Sequence, residues 1–333
     1  MNFSMRATWI SAVLVCIVLA GAIFSVAAFP AEEKVILVVV SRPLEPYRNA
    51  ILGFKNELIE KNIKARYEEF DFSASIEKEA DFMGRLNKAA PDLVFAVGTE
   101  SGLFVSNFVK NVPVVFSMIL NPVESGVVSS LSRPSGNVTG VSLNISIDDQ
   151  FGLMKKMMPS MARVGMLYDA EQRLWQRDKA LAAAERKGLS LLALPIHSES
   201  GVLAATEKVC GETDFLWAAP DPLIYNATSA QHILLVTLRE KKPFMAFSSH
   251  YVAAGALVAQ ECDYEDVGKQ AGQIAIKVLG GASPESIPVE APRKTRLFIN
   301  AGIAKLIGLD IPRDLLDKAD TIIGNPRQPA REK

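Results

Sequence analysis

The chain has 333 residues, with 36 Lys and Arg against 37 Asp and Glu and a formal net charge of −1. That balance leaves no basic excess for a nucleic-acid partner, and the length exceeds what one hydrophobic core sustains, so two lobes are expected. With three cysteines in total, the chain is no disulfide scaffold.

The first segment reads as a leader. Met1–Arg6 carries one positive charge, and Ala7–Ala28 is almost wholly apolar. Val26-Ala27-Ala28 puts small residues where a signal peptidase cuts, which predicts a signal peptide over residues 1–28; retention as a membrane anchor is the rival reading. Cleavage removes Arg6, and the mature chain keeps a charge of about −2 and only Cys210 and Cys262, which are expected to be buried rather than paired.

The next hundred residues alternate. Val35–Val40 is a continuous apolar run, as in a strand covered on both faces. Its exit loop, which begins at Ser41, leads into a helix with Ile51, Phe54 and Leu58 on one face and Pro46 in its first turn. Lys64–Phe70 predicts a second strand, and Ser75–Ala89 a helix with Ile76, Phe82 and Leu86 facing the core. Leu93–Val97 predicts a third strand that ends in Gly98-Thr99-Glu100-Ser101-Gly102 and a helix. This alternation implies a parallel, doubly wound α/β sheet.

Val112–Ser142 is the pivot of the chain. A buried strand runs to Asn121-Pro122, a turn-rich stretch follows at Arg133–Asn137, and Val138–Ser142 is extended again. One lobe closes there and the chain crosses into a second. The pattern then restarts. A helix is predicted over Asp148–Met158, with Phe151, Met154 and Met158 inward, and a strand over Arg163–Leu167 ending at Tyr168-Asp169. A helix over Trp175–Lys187 stops at Gly188. Further strands are expected at Leu191–Leu194, Asp214–Ala218 and Pro243–Phe247, with helices at Gly201–Cys210 and Asn226–Lys241 between them. A late helix carrying Val267, Ala271, Ile274 and Val278 is expected to return to the first lobe. The expected lobes are 33–142 plus about 260–285, and 143–259 plus about 286–323, with hinges near Gly140–Asn144 and Ala259–Cys262.

No motif for a dinucleotide, phosphate loop, metalloprotease or redox dithiol is present, and His197, His232 and His250 lack metal-ligand spacing. Ser101 lies in G-T-E-S-G, which is not a nucleophile elbow, so a hydrolase is disfavoured. The polar residues at strand ends remain: Ser41, Thr99, Ser101, Asn121, Thr139, Tyr168, Asp169, Asp221 and Ser248. Ligands of open α/β sheets bind at that edge. Thr99 and Ser101 suit an anion at a helix N-terminus, or plain N-capping. Asp221 suits an ammonium, or a turn before Pro222.

The blocks G-T-E-S, V-P-V-V-F and N-P-V-E-S-G-V-V-S-S-L-S-R-P-S-G-N-V-T-G-V-S resemble the substrate-binding proteins of ABC importers. So do A-A-P-D-P-L-I at Ala218–Ile224, G-A-L-V at Gly255–Val258 and the tail I-N-A-G-I-A-K-L-I-G-L-D-I-P-R-D-L-L-D-K-A-D. The similar branch contains tryptophan- and tyrosine-binding members. The resemblance implies a type I periplasmic-binding fold and an exported, non-enzymatic protein of the periplasm or extracellular face. It implies an ABC permease as partner; an amino acid or related carboxylate is the expected ligand, and a monomer without cofactor or metal is expected. A sensor module coupled to a membrane receptor kinase is the alternative. Asn121 stands where the family usually has Asp, and Gln260-Glu261-Cys262-Asp263 stands where it has a Tyr-Gly-Pro-Asp-like run. With Asn121 uncharged, Asp221 is expected to be the ammonium partner.

Overall fold

The computed structural model describes residues 33–74, 77–134 and 136–324. The expected leader at 1–28, Ile76 and Ser135 lie outside the described residues.

Five parallel strands form the first sheet in the order β2-β1-β3-β4-β5. They are β1 (Lys34–Val40), β2 (Ala65–Asp71), β3 (Leu93–Val97), β4 (Val114–Ile119) and β5 (Val138–Ser142). Helices α1 (Glu45–Glu60), α2 (Lys78–Ala89) and α3 (Thr99–Phe108) connect them. Ile36, Leu37, Val38 and Val39 of β1 are wholly buried, because helices cover both faces. The strand order reverses between β1 and β3, so the loops after Ser41 and Gly98 diverge and leave an opening at the carboxyl edge.

The second sheet has seven strands in the order β12-β11-β10-β9-β8-β6-β7. In chain order these are β6 (Arg163–Asp169), β7 (Ser190–Ile196), β8 (Phe215–Trp217), β9 (Phe244–Ala246), β10 (Val258–Cys262), β11 (Thr295–Asn300) and β12 (Thr321–Ile323). Its helices are α4 (Ile147–Met157), α5 (Leu174–Arg186), α6 (Val202–Glu212), α7 (Ala227–Arg239), α8 (Ser249–Ala254), α10 (Ala301–Ile307) and α11 (Arg313–Lys318). On α4 the inward residues are Phe151, Met154 and Met157, whereas Met158 caps the end and is only partly buried. The short helix α8 has no apolar periodicity long enough to announce it in the sequence.

The two units are joined by three crossings. The chain passes over after β5, returns after Cys262 into α9 (Tyr264–Leu279), and passes over again before Thr295. Strands β10 and β11 are the antiparallel pair, with Cys262 opposite Thr295. The reason is topological. The chain leaves the sheet at Cys262 and re-enters beside it, so β11 must run back. Before the third crossing, Glu290 bridges Val141, and its carbonyl accepts the Ser142 N–H at 2.9 Å.

Helix α9 anchors on α1 by close backbone contact. A Cβ on Gly268 would lie 1.9 Å from the Ala50 carbonyl oxygen, and one on Gly53 would lie 2.0 Å from that of Glu265. Only glycine permits this approach. It brings Val267, Ala271, Ile274 and Ala275 against Ala50, Phe54 and Leu58, all wholly buried. Phe54 in turn stacks on Phe95 of β3 at 3.9 Å. Each such large side chain contributes about 1.5–3 kcal/mol of transfer free energy.

Candidate functional site

Between the two sheets lies a cleft of about 910 Å³, the size of a small-molecule site. Its first wall is built at the switch point. Gly98 takes φ +99, and a Cβ there would meet Ser41 Oγ at 2.6 Å. The left-handed turn therefore needs glycine and sets Thr99 at the head of α3, facing the cleft. Tyr47 from α1 and Met118 and Leu120 from the end of β4 complete this wall. That strand end is irregular: its register against β5 shifts after Phe116, and Met118 and Asn121 have φ of +61 and +53.

The second wall is aromatic. Trp217 and Phe247 stand at the ends of β8 and β9, and Trp175 stands in the first turn of α5. Trp217 donates its indole N–H to Gln150 Oε1, and Lys179 lies 5.0 Å from the Trp175 ring. Asp148 lines the rim, and two hydrogen bonds from Arg186, at 2.9 and 2.6 Å, hold its carboxyl below the usual range. The base of the cleft comes from the crossings: Leu143 and Asn144, Gln260 and Cys262, and Arg293 with Thr295. Tyr264, the first residue of α9, also lines it and donates to Glu261 Oε1 at 2.8 Å. Burial first, then the Glu261 charge, pushes the Tyr264 phenol up, so it is neutral at any physiological pH.

Of the residues predicted from strand ends, Thr99 and Ser248 line the cleft. The others do not line it and are held by protein partners. Ser41 Oγ donates to Ser101 Oγ at 3.0 Å and accepts the Ser101 N–H at 2.9 Å, and both residues are buried. Thr139 donates to the Ile287 carbonyl at 2.8 Å, which ties β5 to the segment after α9. Tyr168 is buried in the core of the second sheet. Asp169 Oδ1 accepts the N–H groups of Glu171 and Gln172 at 2.8 and 3.1 Å. Asp221 accepts Leu223 N–H at 3.0 Å on Oδ1 and Asp169 N–H at 3.2 Å on Oδ2. Asn121 is buried, with its backbone N–H on Asn144 Oδ1 at 3.0 Å and its amide nitrogen unpaired.

Strand-end reasoning passed over Trp175, Trp217, Phe247, Tyr47, Tyr264 and Gln260. One signal was available: of the three tryptophans in the chain, the two beyond the leader both fall just after or just before a predicted element boundary. Cys210 and Cys262 are free and buried. Burial pushes the Cys262 thiol up to about 12, so it lines the cleft as a neutral, weakly polar group. Among the described residues no cluster of three or more His, Cys, Asp or Glu could hold a metal ion. No helix among them is long and apolar enough to cross a membrane.

Residues 35–323 match the family described as ABC transporter substrate binding protein. A tyrosine-binding protein of Clostridioides difficile is 32% identical over 220 residues, which is 66% of this chain and 63% of that protein. An uncharacterized protein of Rickettsia prowazekii is 22% identical over 63% of this chain and 64% of its own length. The chain thus spans less than two thirds of the curated relatives it matches. Among solved structures, an ABC domain from Streptococcus pneumonia in complex with L-Trp superposes with a TM-score of 0.68 at 25% identity, covering 88% of this chain and 100% of that one. The ligand-free, open structure of a substrate-binding protein with adhesive properties from Clostridium difficile superposes at 0.75 with 24% identity, over 88% of this chain and 100% of that one. The fold is the two-lobed type I periplasmic-binding architecture.

Proposed function

The chain belongs to the family of ABC transporter substrate binding proteins, and from that premise we propose that it captures an aromatic amino acid and presents it to a membrane importer. The observation that carries this reading is the aromatic second wall facing a helix N-terminus across the cleft. Trp175 and Phe247, both partly exposed, offer flat apolar surface for a ring, and the buried Trp217 backs that wall. Opposite them, α3 begins at Thr99 with a hydroxyl and the positive end of a helix, which suits a carboxylate. A ring and a carboxylate on one small molecule describe tyrosine or tryptophan. The similarity to a tyrosine-binding protein and to an L-Trp complex supports the same choice.

The protein acts without chemistry: it is exported, binds, closes and releases. Closure brings the two sheet units together about the crossings near Leu143–Asn144 and Gln260–Cys262, where few residues absorb the backbone change. Thr139, Asn121, Asp169 and Asp221 shape the loops on either side of the cleft rather than touch the ligand.

The test is calorimetric titration of the purified mature chain with L-tyrosine, L-tryptophan and glucose. Micromolar or tighter binding of an aromatic amino acid is expected, with no heat from glucose. Scattering at saturation should give a smaller radius of gyration. Failure of both amino acids to bind overturns the reading.

A further inference from the structure

An amino acid carries an ammonium as well as a carboxylate, and the cleft has few places for it. Asp221 has a backbone N–H on each oxygen, Asp169 holds two on its Oδ1, and neither residue lines the cleft. The Asp148 carboxylate is held on both oxygens by Arg186, and Asn144 Oδ1 accepts the Asn121 N–H. Asp149 is exposed at the rim, where water competes for any donor. One buried acceptor of the lining differs. Gln260 donates its Nε2 to Thr295 Oγ1 at 3.0 Å, while its Oε1 is buried and has no hydrogen-bond partner. Gln260 and Thr295 both line the cleft.

We infer that Gln260 reads the ligand's amino group, its Oε1 accepting an N–H from an aromatic amino acid held between the walls. This rests on the reading given above. A buried amide oxygen without a donor is unfavourable, so a ligand N–H that meets it gains more than it would at a solvated group. With the amide nitrogen engaged on Thr295, its oxygen remains for the ligand. The position also matters. Gln260 lies on β10, two residues before the crossing into α9, so a ligand held there touches the segment about which the units turn. The anchor is neutral. An ammonium is then held by dipoles rather than by a counter-charge, and an added carboxylate at this point strengthens its hold.

The experiment compares L-tyrosine and L-tryptophan with their des-amino counterparts, 3-(4-hydroxyphenyl)propanoate and indole-3-propanoate, by calorimetry on the mature chain. Wild type is expected to prefer the amino acid by tenfold or more. Gln260→Leu should bring the pair within about threefold, because the amino acid loses more affinity than its des-amino counterpart. Gln260→Glu should keep or widen the preference. Should Gln260→Leu melt too early to titrate, Gln260→Met removes the same oxygen with a flexible side chain. A preference unchanged in either folded variant overturns the inference, and so does a wild type that binds both members of each pair equally. Those two results leave aromatic carboxylate binding standing. A wild type that binds none of the four compounds removes the functional reading itself.

Discussion

The two walls of the cleft are built from similar strand–helix units, yet they present different surfaces. On the first wall the strand-end hydroxyls of Ser41 and Ser101 close a ring with each other, and Thr99 is left at the head of α3. On the second wall the strand-end carboxylates of Asp169 and Asp221 cap their own loops, and Trp217 and Phe247 are left facing the cleft. Both walls use their most polar strand-end residues to hold loops in place. What remains at the cleft is a helix terminus on one side and, on the other, the partly exposed rings of Trp175 and Phe247 over the buried Trp217. On the proposed function, the first wall would read a ligand's charge and the second its shape.

The largest effect should come from removing the support of the first wall. Gly268→Ala places a methyl 1.9 Å from the Ala50 carbonyl and prises α9 from α1, the helices that carry Tyr264 and Tyr47 to the cleft. A loss of about 3 kcal/mol is expected in a denaturant titration, because backbone cannot yield as a side chain does. A variant as stable as wild type would mean that the helices slide apart freely.

Next in size is Trp175→Ala. Trp175 is only partly buried and contributes its ring to the second wall, so the melting temperature should hardly move. Affinity for an aromatic amino acid should fall about thirtyfold. A smaller loss for alanine or serine as ligand would sharpen the assignment of shape to this wall.

The pair Thr99→Ala and Ser101→Ala separates ligand binding from loop stability on the first wall. Ser101 is wholly buried and its Oγ donates to the Val97 carbonyl at 2.9 Å, so its loss should cost about 1–2 kcal/mol of stability with affinity retained. Thr99→Ala should do the reverse, lowering affinity about tenfold at nearly constant stability. If both variants changed only stability, the head of α3 would be capping and nothing more.

The smallest effect lies in the acid limb of the stability curve. Burial favours the neutral form of Asp263, but hydrogen bonds from Lys294, the Asp266 N–H and Arg296 outweigh it and hold the carboxyl below its ordinary value. A carboxylate whose folded pKa is depressed stabilises the protein above the unfolded pKa of about 3.9 and loses that contribution as pH falls through the folded value. Asp263→Asn should therefore flatten the decline below about pH 4, by less than about 1 kcal/mol given the exposed cationic partners. An unchanged acid limb would place the titrating groups elsewhere.

The alternation of apolar runs and amphipathic helices was enough to derive two α/β units, whereas the packing of the late helix on α1 is tertiary. The units depend on local periodicity, and periodicity is written residue by residue. Of the strand-end residues singled out in the sequence, Thr99 and Ser248 line the cleft. The sequence could not tell which strand-end residues would turn inward, because a shift of one or two residues in a loop rotates a side chain from the cleft to its own backbone. Ser101, two positions from Thr99, is sealed against Ser41 for that reason. The antiparallel β11 was equally hidden, since its direction follows from where the chain re-enters beside Cys262. The aromatic wall was decided last. Trp175, Trp217 and Phe247 belong to three separate segments, and only the pairing of β9 beside β8 and the placing of the head of α5 at the same cleft bring them together.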